Sequence, residues 1–351
     1  MDVGSRGAGH RHLLANQAQH LGDTMLTRRR VLSQIGAVSA ATVMLRTSAG
    51  FAAAPSTVKT AVDFDVPRGG CDCHVHVLDP ARFPYLPQRP FTPAAATVED
   101  LRDLSRALRL DRVVIVQPGL YGTNNSCTLD AVRQLGPDAR AIAVIDKATP
   151  REALEEMAAA GFRGVRLPFE LRGMTDPVAI KAAIDAVTEQ IRGLNWHLTL
   201  FTRLSVIAQL KDYIAQLPGP VVFDHFGQAA AAQGPNQPGF DALVELAGKG
   251  GVYVKISGAN RISERAPDYA DATPLAQALI TSNPDRILWG SDWPHLPGPP
   301  WKPLAEISAP LPIDNGLVLN QLPKWVADPA VRKKILVDNP TRLYGFQPIA
   351  G

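Results

Sequence analysis

Five of the eight histidines follow residue 50, and four of those five sit at or just after the ends of three short apolar runs. His74-Val75-His76 is the first group. Residues two apart on a strand project to the same side, so both imidazoles can share a metal ion or a substrate oxygen. Asp224-His225 ends the second run. Strand parity turns one of that pair inward, and His225 is the expected one. Trp289-Gly290-Ser291-Asp292-Trp293-Pro294-His295 ends the third. A carboxylate there, Asp292, suits a general base for water or a metal ligand. Each group also has a structural use: strand-end hydrogen bonding for Asp224 and His225, a helix N-cap for Asp292, loop packing for His295. His197 begins its run, so it belongs at the opposite end with a structural role.

These groups can meet only if their strands share one rim. Eight runs read as strands: 71–77, 112–117, 140–146, 164–168, 197–201, 221–225, 252–257 and 286–292. Helical patterns lie between them, among them Val98–Leu108, Glu152–Ala160, Val178–Leu194, Ser205–Leu217, Phe240–Gly248 and Pro274–Ser282. Near-continuous β-branched runs mark strands covered on both faces, as in parallel sheets. Eightfold alternation of strand and helix predicts a single-domain (β/α)₈ TIM barrel over 67–346, whose chemistry is built on the C-terminal rim. There Asp292, ending the eighth strand, neighbours the first strand and its two histidines. The Pro/Gly-rich stretch Pro294–Pro312 should loop over that mouth. A doubly wound open sheet is the competing architecture, but no Gly-x-Gly-x-x-Gly follows an early strand.

Composition narrows the class. Of 351 residues, 46% are hydrophobic and 20% charged, which describes an ordinary globular chain. The net charge of +3 is small, and Arg6, Arg11, Arg28, Arg29, Arg30 and Arg46 all precede residue 47. With no basic stripe interleaved with aromatics, a nucleic acid partner is not expected. Cys71, Cys73 and Cys127 have neither disulfide nor zinc-site spacing and read as small buried thiols. Thr27-Arg28-Arg29-Arg30-Val31-Leu32-Ser33 resembles a twin-arginine export motif. An apolar run to Leu45 and the small residues Ser48–Ala54 follow it, in the order of a signal peptide. Residues 1–54 are thus expected to be an export leader, with Met25 a possible true start, and 55–66 a linker. Periplasmic or exported placement follows from that reading. The apolar run is too short for a stable membrane span.

Together the landmarks resemble the amidohydrolase superfamily, and within it the branch containing 2-pyrone-4,6-dicarboxylate lactonase and sugar-lactone hydrolases. The resemblance runs from Pro67 to Phe346. It rests on Asp72-Cys73-His74-Val75-His76, Gly164-Val165-Arg166-Leu167, Asp224-His225-Phe226-Gly227, Lys255-Ile256-Ser257-Gly258, Leu288 to His295, and the tail Leu336 to Tyr344. It implies that His74, His76, His225 and Asp292 surround the scissile carbonyl of a carboxylated lactone. Asp292 would take a proton from water, and the imidazoles would stabilise charge on the carbonyl oxygen. Arg166 and Arg172, six residues apart, and Arg261 after the seventh strand would hold substrate carboxylates with two-point guanidinium contacts. Phe91 and Phe201 stand where the branch is expected to carry substrate-contacting tyrosines. That implies a substrate other than 2-pyrone-4,6-dicarboxylate. Tyr121 or Asn124 could supply replacement donors, or they are ordinary turn residues.

A two-metal centre is not expected, because the fourth strand offers Arg166 where a bridging Lys or Glu would stand and the fifth lacks a histidine at the correct end. The branch includes members that work without metal, so a metal-free site is the expectation. One Zn²⁺ on His74, His76 and Asp292 is the alternative. Rival functions are a metal-dependent decarboxylase of the same superfamily, a lactone isomerase and a non-catalytic exported binding protein.

Overall fold

The computed structural model describes residues 58–348; the expected leader lies outside the described residues. Eight parallel strands follow one another around a nearly closed barrel. They are β1 (Cys71–Val75), β2 (Arg112–Val116), β3 (Ala139–Ala143), β4 (Phe162–Leu167), β5 (His197–Leu200), β6 (Val221–Phe223), β7 (Val252–Ser257) and β8 (Ile287–Gly290). Seven helices cross between them: α1 (Val98–Leu108), α2 (Ser126–Leu135), α3 (Arg151–Ala160), α4 (Pro177–Gln190), α5 (Leu204–Ile214), α6 (Phe240–Gly248) and α7 (Thr273–Ser282). Short helices after residue 314 complete the outer ring and end at Asn339–Tyr344. This is the expected (β/α)₈ order. No described helix is long and apolar enough to cross a membrane.

The helices form for local reasons. Thr97 and Asp100 cap α1 reciprocally, Thr97 accepting from the Asp100 N–H and Asp100 from the Thr97 N–H. Val98, Leu101, Leu104 and Leu108 then fall on one buried stripe, and Arg109 ends the helix in a left-handed turn.

Closure happens at the rim. β1 and β8 are joined by a Val75–Trp293 bridge, by the Asp292 N–H donating to His74 O (2.9 Å) and by the His76 N–H donating to Trp293 O (2.8 Å). Below them Asp72 Oδ1 accepts from the Ser291 N–H (2.9 Å) and the His74 N–H (3.1 Å), clasping both strands with one carboxylate. Burial pushes the Asp72 carboxyl up to about 6.

Apolar side chains fill the barrel interior: Cys71, Cys73, Val114, Ile142, Val222 and Leu288. The three cysteines are free and buried, as expected. Tyr344 and Phe346 seal the floor. Arg140 donates to Tyr344 O (3.1 Å) and Gly345 O (2.9 Å), and the guanidiniums of Arg112 and Arg140 lie 5.0 and 4.6 Å from the Phe346 ring. Phe346→Ala empties this plug and should cost about 3–5 kcal/mol. The same change takes the aromatic face away from both guanidiniums. The midpoint of urea unfolding reads it; an unchanged midpoint would mean the tail is not part of the core.

Residues 58–66, expected to be linker, are fastened to the barrel. Thr60 Oγ1 donates to Asp314 Oδ2 (2.6 Å), and Arg109 donates to Val62 O (2.9 Å) and Phe64 O (2.6 Å). At the other end, Thr92–Pro93 pairs in parallel with Ile307–Ser308, and Phe91 stacks on Trp301 at 4.9 Å. These contacts tie the long segment after β8 to the segment after β1.

Candidate active site

A β-bulge aims the first two histidines. Asp72 pairs with Val113 and Val75 with Ile115, so Cys73 and His74 together face the single residue Val114. The extra residue re-phases the strand. Cys71 and Cys73 thereby join the interior, while His74 and His76 reach the mouth. Gly290 on β8 makes room for this: a Cβ there would stand 2.8 Å from His74 Cβ and 2.9 Å from its backbone nitrogen.

The second group differs from expectation in one respect. β6 ends at Phe223, and His225 and Phe226 turn left-handed at φ 49° and 55°. Strand alternation no longer governs there, so Asp224 and His225 both join the cluster instead of His225 alone. Asp292 also adopts positive φ, 69°, directly after β8. Gly258 leaves space at the centre, since a Cβ there would meet His225 Nδ1 at 3.0 Å and Asp292 Oδ2 at 3.2 Å.

The four expected residues converge on one atom. Asp292 Oδ1 lies 3.6 Å from His74 Nε2, 3.8 Å from His76 Nε2 and 3.8 Å from His225 Nε2. Asp292 Oδ1 and His74 Nε2 are both buried without a hydrogen-bond partner. The other carboxylate oxygen accepts from Arg261 Nε at 2.7 Å. Burial alone would raise the Asp292 carboxyl, but the Arg261 guanidinium beside it outweighs that and holds the acid well below the carboxylate range. Asp292 is therefore ionised.

The imidazoles are neutral. Burial, with Arg166 and Arg261 nearby, drives His76 and His225 down to about 4, and burial with Lys255 drives His74 well below its ordinary value. His76 Nδ1 lies 2.7 Å from Val116 O, which can only accept, so the proton is on Nδ1 and the Nε2 lone pair faces the cluster. His225 Nδ1 rests against Ser257 Oγ (3.0 Å) and Ser257 O (3.3 Å). The anionic Asp292 oxygen thus faces the unprotonated Nε2 of His76. Such a set calls for a cation, either protons at Nε2 or a metal ion. His74, His76 and Asp292 place one ligand atom each within 4.8 Å of one another and fit a single zinc ion with an open position. The trio His74, Asp224 and His225 is as close, but Lys255 Nζ, 3.1 Å from Asp224 Oδ1, already supplies the positive charge there.

Two of the expected arginines border the cluster. Arg166 Nε donates to Asp224 Oδ2 (2.8 Å), and its guanidinium lies 4.8 Å from the Phe201 ring. Arg261 is a quarter exposed. Each commits only Nε to a carboxylate, and among the described residues the Nη edge has no hydrogen-bond partner. Arg172 is exposed in the turn Glu170–Arg172 and is not brought to the cluster. Tyr121 is buried with its hydroxyl accepting from the Asp79 N–H (3.0 Å), and the Asn124 side chain accepts from the Ser126 N–H (3.1 Å) and hydroxyl (2.6 Å). Both serve local structure. Phe201 presents its ring to His225 edge-on at 5.5 Å. His197 lies on the floor against Tyr344, and His295 anchors its loop through Asn315 (2.8 Å), as expected for structural histidines.

Sequence reasoning misses Asp224, Lys255, Ser257 and Asp72. Lys255 does carry a signal: a lysine inside the apolar run Val252–Ser257 is buried on a strand covered on both faces.

Comparison with known proteins agrees with this geometry. The amidohydrolase family pattern matches residues 71–346. A 4-sulfomuconolactone hydrolase of Rhizobium radiobacter is 36% identical over 299 residues, 83% of this chain and 95% of the relative. A 2-pyrone-4,6-dicarboxylate hydrolase of Comamonas testosteroni is 31% identical over 291 residues, 80% of this chain and 92% of the relative. A ligand-free crystal structure from Agrobacterium tumefaciens superposes with a TM-score of 0.66 at 28% identity, covering 81% of this chain and 98% of that one. The closing barrel, the His/Asp cluster at its rim and these matches over most of both chains establish that the protein belongs to the amidohydrolase family.

Proposed function

We propose that the chain hydrolyses lactones bearing carboxylate or sulfonate groups. The observation that carries this is the ionised Asp292 oxygen set among three imidazole nitrogens, beside two guanidiniums with open edges. The relatives named above act, by their names, on lactones that carry such acids.

Arg166 and Arg261 take the substrate's anionic groups on their Nη edges and fix the ring over the cluster. Asp292 accepts a proton from water as the water oxygen bonds to the lactone carbonyl carbon. The ring C–O bond then breaks, and the proton passes from Asp292 to the departing ring oxygen. The product is a ring-opened acid with a new carboxylate. His74, His76 and His225 line the place where the carbonyl oxygen would rest and would stabilise the charge that develops on it. A zinc ion held by His74, His76 and Asp292 would supply Lewis-acid polarisation of that carbonyl. Phe201, with no hydroxyl to offer, favours an apolar substrate edge against His225.

A screen of acidic lactones against their neutral analogues, on chelator-treated and zinc-reloaded protein, tests the proposal. Ring opening of an acidic lactone is expected, and zinc should restore activity lost to the chelator. Release of CO₂ without ring opening would favour a decarboxylase. Arg261→Met removes a charge-assisted contact worth about 1.5–3 kcal/mol, so KM for the acidic lactone should rise about 10–100-fold. An unchanged KM would remove Arg261 from substrate binding.

A further inference from the structure

We infer that residues 58–66 serve the reaction as well as the fold. Through a short helix, α8 (Asn315–Leu319), they hold the turn that aims Asp292, and Thr60 and Gly316 are positioning residues. The segment precedes the residues matched by the family pattern, 71–346. Only the activity consequence rests on the lactonase reading.

α8 is clamped to the segment at both ends. Before it, Asp314 Oδ1 accepts from the Lys59 N–H (3.0 Å) and the Thr60 N–H (3.3 Å), and Oδ2 accepts from Thr60 Oγ1 (2.6 Å). The same carboxylate caps the helix by accepting from the Gly316 N–H (3.1 Å). After it, Asn320 accepts from the Asp63 N–H (3.0 Å) and donates to Ala61 O (2.9 Å). Between the clamps the Thr60 carbonyl oxygen lies so close to Gly316 that a Cβ there would overlap it. Glycine lets the two backbones meet.

The first residue of α8 reaches the site. Asn315 Oδ1 lies 2.8 Å from His295 Nε2, and both residues are fully buried. The His295 N–H donates to Asp292 O (3.0 Å), and His295 O accepts from the Leu311 N–H (2.9 Å). Asp292 and His295 both have positive φ, 69° and 64°. Residues other than glycine persist in that region only where their surroundings impose it. The His295 side chain is the part of the turn that α8 grips. A continuous path thus runs from Thr60 through Asp314, Asn315 and His295 to Asp292.

Attachment alone does not account for the clamp. Val62, Phe64 and Val66 already pack on the core, and Arg109 holds Val62 O and Phe64 O. The bonds of Lys59, Thr60, Ala61 and Asp63 go instead to Asp314 and Asn320, the two residues that flank α8.

Hydrogen exchange by NMR on the full-length chain, with steady-state kinetics beside it, tests the inference in Thr60→Val, Thr60→Ser and Gly316→Ala. The His295 amide should exchange at least about tenfold faster in Thr60→Val and Gly316→Ala, as local opening of that turn requires. The Phe201 amide, bonded to Leu167 O across the barrel (3.1 Å), should keep its wild-type rate. Thr60→Ser retains the hydroxyl and should match the wild type in exchange and turnover. Gly316→Ala should lower kcat about 10²-fold, the cost of a misplacement near 1 Å, and Thr60→Val by a smaller factor. KM should stay within about threefold, because Arg166 and Arg261 lie outside the turn. Wild-type exchange at His295 in folded Thr60→Val overturns the inference, and this variant decides the matter if Gly316→Ala does not fold. Acceleration shared equally by Phe201 would mean general loosening and also overturns it, as does a Thr60→Ser protein as impaired as Thr60→Val. Faster exchange at His295 with wild-type kcat contradicts the link to the reaction. A wild type that opens no lactone defeats the proposed function and leaves the exchange result to stand by itself.

Discussion

Asp292→Asn should lower kcat by about 10³-fold or more, within the range a positioned general base contributes. The amide has the carboxylate's shape but cannot take a proton from water. It also cannot balance Arg261, whose Nε sits 2.7 Å from Oδ2. The fold should survive, because the Asp292 backbone contact to His74 O at 2.9 Å is kept and Arg261 is a quarter exposed. Binding should survive too, since the Nη edges of Arg166 and Arg261 are untouched, so the loss should fall on kcat and leave KM close to wild type. Steady-state kinetics with a thermal melt beside it makes the measurement. A variant within about tenfold of wild-type kcat would remove Asp292 from the role of base, given what such groups contribute.

Gly290→Ala should be nearly as damaging by a different route. The added Cβ would stand 2.8 Å from His74 Cβ and 2.9 Å from His74 N. Backbone cannot yield as the end of a flexible side chain can, so β1 and β8 must part. Overpacking of this kind costs about 1–3 kcal/mol. Displacing His74 by about 1 Å should in addition cost about 10²-fold in turnover. Asp292 N–H to His74 O and Ser291 N–H to Asp72 Oδ1 are the bonds most exposed to the change. Amide exchange at those two hydrogens should accelerate in step with the loss of activity. Full turnover with wild-type exchange would show that the β1–β8 seam tolerates a methyl and that His74 is not held there.

The features legible in the sequence are those carried by periodicity and residue type. Apolar β-branched runs separated by helical stripes mark the strands, because parallel strands are covered on both faces. His74, His76, His225 and Asp292 are visible since each stands at a strand end, where a barrel places its chemistry. What stays hidden depends on local geometry. The bulge at Cys73 and His74 is a matter of register against β2, which no single strand reveals. Asp224 escapes an alternation rule that stops applying when β6 ends at Phe223 and the chain turns left-handed. Tyr121 and Asn124 have the chemistry of donors to substrate, but the chain places the Tyr121 hydroxyl at the Asp79 N–H and the Asn124 side chain over the start of α2, at Ser126. The protonation of His76 is less accessible still, because it is set by a backbone carbonyl, Val116 O, on the neighbouring strand.

The central claim is that water, activated at Asp292, opens the ring of an acidic lactone. Turnover of such a lactone in H₂¹⁸O, followed by mass spectrometry of the product, tests it most directly. The expected product is a ring-opened acid carrying one ¹⁸O in its new carboxylate, formed by the wild type and lost with Asp292→Asn. A product of unchanged mass, as an intramolecular ring migration would give, or labelled product formed equally well by the variant, would contradict it.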